Sequence, residues 1–134
     1  MQKDFILREI EKIVYSITRL AGLKNAANPE AFIQHADQML QDEYDLKLND
    51  LLELSIEDFD ILLNERNYSP EKLDALANLL YMYYEPFEAN DETLAALQTI
   101  ISIFNQLEKN HNRASFENIN KRNAIYQFLQ KNYE

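Results

Sequence analysis

Residues 69–87 read SPEKLDALANLLYMYYEPF, and the last nine of them hold four aromatic rings and a methionine. Such a stripe is either a surface that grips a ligand or the interior of the protein. At about 100° per residue, Leu73, Leu76, Ala77, Leu80, Tyr83, Tyr84 and Phe87 fall on one side of a helix, and Ala75, Leu79 and Met82 widen that side beyond half the circumference. The remaining polar wedge holds Asp74, Asn78 and Glu85, with Tyr81 at its edge. A helix apolar over so much of its surface is packed between neighbours. Tyr83, Tyr84, Met82 and Phe87 are therefore expected in the core, and Tyr81 at the surface.

Punctuation on either side extends the helical reading to the whole chain. Ser69-Pro70 and Asn28-Pro29 each set a capping side chain before a proline at the first helical position, where its missing N–H costs nothing. Ser55 with Asp58 three residues later has capping-box spacing, and Asn90-Asp91-Glu92 and Ser115-Phe116-Glu117 put acidic residues where a helix dipole favours them. Gly22 suits a left-handed cap at the end of the first helix, and Pro86 ends or kinks the helix before it. These signals predict about six helices, near 3–21, 29–45, 55–66, 70–86, 91–110 and 115–132, with a short ambiguous segment at 48–54. One glycine in 134 residues leaves little room for β-hairpins. The expected fold is all-α, antiparallel helix pairs in a tetratricopeptide-like array or an irregular bundle, forming one domain over 1–134.

The first helix is amphipathic: Ile6, Ile10, Ile13, Val14, Ile17, Leu20 and Ala21 share a face that core packing would bury. A membrane-surface helix would have a richly basic polar face, whereas the acidic and basic residues here nearly cancel. The longest charge-free run, 93–107, is too short and polar to span a bilayer, which takes roughly 20 apolar residues. No secretory signal pattern is visible, and the absence of cysteine suits a reducing compartment, so a cytoplasmic location is expected.

The net charge of −10 is concentrated. Residues 1–29 carry five Lys/Arg against three Asp/Glu, residues 30–92 three against seventeen, and residues 93–134 five against three. An acidic middle repels phosphate backbones, which argues against nucleic acid. It is either a solvated surface or a face that meets the basic ends of another copy or a basic partner.

The helix at 91–110 sets Leu94, Leu97, Ile100, Ile101, Phe104 and Leu107 on one face; the opposite face, Gln98, Thr99, Ser102, Asn105 and Gln106, is uncharged. Interface cores are depleted of charge, so Gln98, Ser102, Asn105 and Gln106, with Tyr81, form the candidate partner or self-association surface. The alternative is an ordinary polar face, or a helix shielded by its own neighbours.

Catalytic signatures are sparse. A single glycine rules out phosphate-cradling loops and a nucleophile elbow. Glu108-x-x-His111 has the spacing of helical di-iron ligands, but it occurs once and at a helix end, and His35 borders the apolar face of Phe32, Ala36, Met39 and Leu40 as a structural residue would. The run Asp42, Glu43, Asp45 and Asp50 lacks the glycine and alternating ligands of a calcium loop. No catalytic residue, metal or cofactor is expected.

From Leu76 the chain resembles a tetratricopeptide helix pair: Leu76, Leu79-Leu80 and Tyr83, then Ala96-x-x-x-Ile100. Leu80 replaces the glycine of that motif, and no proline closes the unit. The stretches DFILREIEKIVYSITRLAGL, PEAFIQHADQMLQDEYDL and SPEKLDALANLLYMYY also resemble a group of small uncharacterised bacterial helical proteins. The resemblance implies a helical fold and, by analogy with tetratricopeptide proteins, binding of a peptide or protein in a groove. The resulting expectation is a non-catalytic interaction module engaging a basic or amphipathic partner. Its rivals are a homodimer joined through the 91–110 face and a small-molecule sensor or enzyme with a pocket near Tyr83, Tyr84 and Phe104.

Overall fold

A computed structural model describes residues 2–133, with side chains from Leu7 onward. Among these residues the chain is all-α, with seven helices and no strand: α1 Gln2–Asn25, α2 Pro29–Met39, α3 Leu48–Glu53, α4 Ile56–Arg66, α5 Pro70–Tyr84, α6 Asp91–His111 and α7 Phe116–Tyr133. The predicted starts lie where the caps place them. Asn28 accepts from the Ala31 N–H at 3.3 Å, Ser55 from Asp58 at 3.1 Å, Ser69 from Lys72 at 3.2 Å, Asn90 from Thr93 at 2.8 Å and Ser115 from Asn118 at 3.1 Å. Each side chain satisfies one of the N–H groups that a helix start leaves without an intrahelical partner.

Helix ends are less regular. α1 does not stop at Gly22, which stays within the helix; the left-handed residue is Ala27, with φ of 54°. Leu23, half-buried in the following turn, continues the apolar pattern past the glycine. Asp45, Asn67 and Asn112 take the left-handed position that closes α2, α4 and α6. Asn and Asp tolerate that conformation better than other non-glycine residues. α2 widens into one π-helical turn, Leu40–Tyr44, before Asp45. α5 ends at Tyr84, because the residue before Pro86 is driven to an extended conformation, here φ −79° and ψ 132° at Glu85.

The chain divides into two compact units, the first running to Leu51 and the second from Leu52. In the first, α1 packs on α2, which runs on into the π-turn. Ile13, Leu20, Phe32, Ala36, Met39, Leu40 and Tyr44 are buried, and Lys12 reaches Glu43 at 3.5 Å. The broad face expected for α1 is only partly enclosed. Ile10, Ile17 and Ala21 are half-buried and Val14 is 57% exposed, while Ile6 lies outside the described side chains. Val14 sits about 100° around the helix from Ile13, beyond the arc that meets α2.

In the second unit α6 is the central helix, packed against α4, α5 and α7. α5 and α6 make the most extensive pair and, joined by a short loop, run antiparallel. Leu76, Leu79, Leu80, Ala96, Leu97, Ile100, Ile103 and Leu107 are fully buried. Of the four stripe residues expected in the core, Tyr84 is buried, whereas Tyr83, Met82 and Phe87 are only half-buried.

Candidate interaction surface

α7 lies along α5 and α6 and is fixed there by polar contacts. Asn118 donates to the Asp74 carboxylate at 2.8 Å, and Lys121 donates to the Asn78 side chain while its ammonium stands 5.6 Å from the Tyr81 ring centroid. Arg122 donates to Glu108 at 2.8 Å and to Asn105 at 3.1 Å, with its guanidinium 5.8 Å from the Phe104 centroid. Further along, Phe128 meets Phe87 edge-on at 5.5 Å, and the Tyr133 hydroxyl donates to the Asn90 carbonyl at 3.4 Å. The order of contacts makes α7 run with α5 and against α6. The polar wedge of α5 is thus a docking track, with Asp74, Asn78 and Tyr81 (spaced i, i+4, i+7) facing Asn118 and Lys121.

That track explains why Tyr81 is not at the surface. Its ring is 9% exposed, enclosed by the Lys121 side chain and by Phe87, which it meets edge-on at 5.2 Å. Burial, and secondarily the charge of Glu85, push its phenol above the usual tyrosine range. The uncharged face of α6 is likewise not open. Ser102 is 6% and Thr99 8% exposed, and Thr99 donates back to the Ala95 carbonyl at 2.9 Å. Gln106 is half-buried and accepts from Asn110. Gln98 and Asn105 are exposed, and Asn105 is already held by Arg122. The structure does not bring Tyr81, Gln98, Ser102, Asn105 and Gln106 together as one accessible surface. The face lacks charge because three neighbouring helices surround α6.

The basic ends of the chain also prove partly committed. Lys12 pairs with Glu43, Arg113 with Glu71 at 3.6 Å, and Arg122 with Glu108, each within its own unit. Glu108 therefore serves Arg122, while His111 is exposed at the end of α6. His35 is half-buried, with its Nε2 enclosed. Tyr83 and Tyr84 rest on each other at 5.0 Å. No group of three or more His, Asp or Glu that could hold a metal ion occurs among the described residues. No described helix is long and apolar enough to cross a membrane.

Comparison with protein-family models, with curated proteins and with solved structures finds no match to this chain.

What the fold leaves open is an acidic face on α4. Phe59 and Leu63 are buried, and Glu57, Asp58, Ile61, Asn64 and Glu65 are exposed on the other side, Ile61 by 53%. Leu54 before the helix and Ile56 at its first turn are exposed by 36% and 47%, Ile56 standing about 140° around α4 from Ile61. Glu57 and Asp58 also have a structural role, since carboxylates in the first turn complement the helix dipole. An exposed isoleucine among carboxylates goes beyond that role. The residue spacing carried this signal, because Ile61 stands with Glu57 and Glu65 at i±4 while Phe59 and Leu63 occupy the opposite face.

Proposed function

We propose that the protein is a non-catalytic interaction module that receives a basic amphipathic segment of a partner protein on the acidic face of α4. The supporting observation is Ile61, 53% exposed between Glu57, Asp58 and Glu65. Aliphatic surface ringed by carboxylates complements a helix with a leucine-type stripe flanked by Lys or Arg. The apolar contact would supply affinity, and the charges orientation and association rate. The antiparallel α5–α6 pair with α7 alongside α5 is in keeping with the tetratricopeptide-like resemblance, which brings peptide binding as fold-level analogy.

The test is fluorescence anisotropy with a labelled synthetic peptide of Lys and Leu in helical amphipathic spacing, and a Glu/Leu peptide of the same pattern as control. Binding of the basic peptide alone, weakened by salt and by Glu57→Lys with Glu65→Lys, is the expected result. The same charge reversal at Glu88 and Glu92 should leave most of the binding intact. Equal losses from the two double variants would reduce the effect to net charge and defeat the proposal.

A further inference from the structure

α7 is apolar on two sides. Its inner side, Ile125 with Phe128 and Leu129, faces the rest of the second unit. Around the helix from it, Phe116, Ile119, Asn123, Tyr126 and Gln130 recur with alternating three- and four-residue steps, the spacing of a two-helix seam; Tyr133, next in the series, is turned to the Asn90 carbonyl instead. The three apolar or aromatic members, Phe116, Ile119 and Tyr126, are exposed by 86%, 41% and 49%. The helix cannot turn this second stripe inward, because Asn118, Lys121 and Arg122 tie the first side to Asp74, Asn78, Glu108 and Asn105.

We infer that this stripe on α7 is a self-association surface and that its occupant is the same helix of a second copy, packed antiparallel about a two-fold axis. Charge selects the occupant. Copies of a chain of net charge −10 repel each other overall, and this seam contains no charged residue. The stripe is self-complementary in the antiparallel register: Ile119 comes opposite the partner's Gln130, and Asn123 opposite the partner's Tyr126, whose hydroxyl suits an amide. Antiparallel helix dipoles also attract. The exposed parts of Phe116, Ile119 and Tyr126 offer on the order of 400 Å² per copy, below the roughly 800 Å² per partner of a standard interface. The dimer is accordingly weak and concentration-dependent. This surface is separate from the acidic face of α4 and does not depend on that reading.

Sedimentation equilibrium of the full chain over a wide concentration range, at two salt levels, tests the inference. The expected result is association that grows with concentration and holds or strengthens in higher salt, since salt screens the repulsion between copies. Tyr126→Glu and, as a second variant, Ile119→Lys should abolish it with an unchanged melting temperature, while Ile61→Glu on α4 should leave it in place. The chain has no native cysteine, so a mixture of Ile119→Cys and Gln130→Cys copies should form disulfides between the two kinds of copy. A monomer at every concentration, association undiminished in the α7 variants, or salt-weakened association would overturn the surface. Cross-links confined to like copies would overturn the antiparallel register.

Discussion

Asn118 and Asp74 stand 44 residues apart in the chain and 2.8 Å apart in space, the Asn118 amide donating to the Asp74 carboxylate. Asn118 is 8% exposed, so this hydrogen bond sits at the start of the α5–α7 track rather than in open water. Asn118→Ala should cost about 1–2 kcal/mol in urea unfolding, as expected for losing a partly buried bond to a charged acceptor. Asn118→Asp should cost more at neutral pH, because it sets two carboxylates against each other. Equal losses from the two variants would mean that Asp74 is not the group Asn118 serves.

Ser102 lies inside the second unit, 6% exposed. Ser102→Glu is therefore a folding variant and not a dissociating one. Burying an unpaired carboxylate there should lower stability by about 3 kcal/mol or more. A melting temperature close to that of the parent chain would show that α6 opens on this side.

Two adjacent tyrosines separate interior from surface. Tyr84 is 8% exposed and Tyr83 half-buried. Tyr84→Ala should cost roughly 3–5 kcal/mol, by analogy with large-to-small changes of aromatic core residues, and Tyr83→Ala distinctly less. Comparable losses in chemical denaturation would contradict the assigned orientation of α5.

Tyr81 should make the fold sensitive to alkali. Burial first, and Glu85 second, raise its pKa in the folded chain above the unfolded value of about 10. The unfolded chain then gives up the phenolic proton before the folded one. The stability linked to Tyr81 is complete below the unfolded pKa and is lost as pH rises through the folded one. Melting temperatures followed into the alkaline range should fall more steeply for the parent chain than for Tyr81→Phe. Parallel curves would remove Tyr81 from the alkaline transition.

Gly22 is helical, exposed, and has nothing within 4 Å of where a Cβ would stand. Gly22→Ala should stabilise the protein by about 0.5–1 kcal/mol, chiefly by restricting the unfolded chain. A loss in thermal denaturation would mean that the α1 terminus needs the glycine after all.

The helical fold and most helix starts were legible from residues 28, 55, 69, 90 and 115, because a capping side chain acts on N–H groups two or three positions away. The end of α5 was legible for the same local reason, since Pro86 constrains its immediate neighbour. Periodicity also marked Leu76, Leu80, Ile100 and Leu107 as interior. It could not say what faces the polar side of a helix. Asp74, Asn78 and Tyr81 look like a solvent wedge until α7, some forty residues later, supplies Asn118 and Lys121 to meet them. Ser102 and Thr99 look like an open uncharged surface until α4, α5 and α7 close around α6. Val14 looks like core until α1 proves to meet its own unit over a narrower arc. Caps and periodicity record interactions within a turn or two of one helix. Exposure depends on the other helices that pack against it, and so on contacts between residues far apart in the chain.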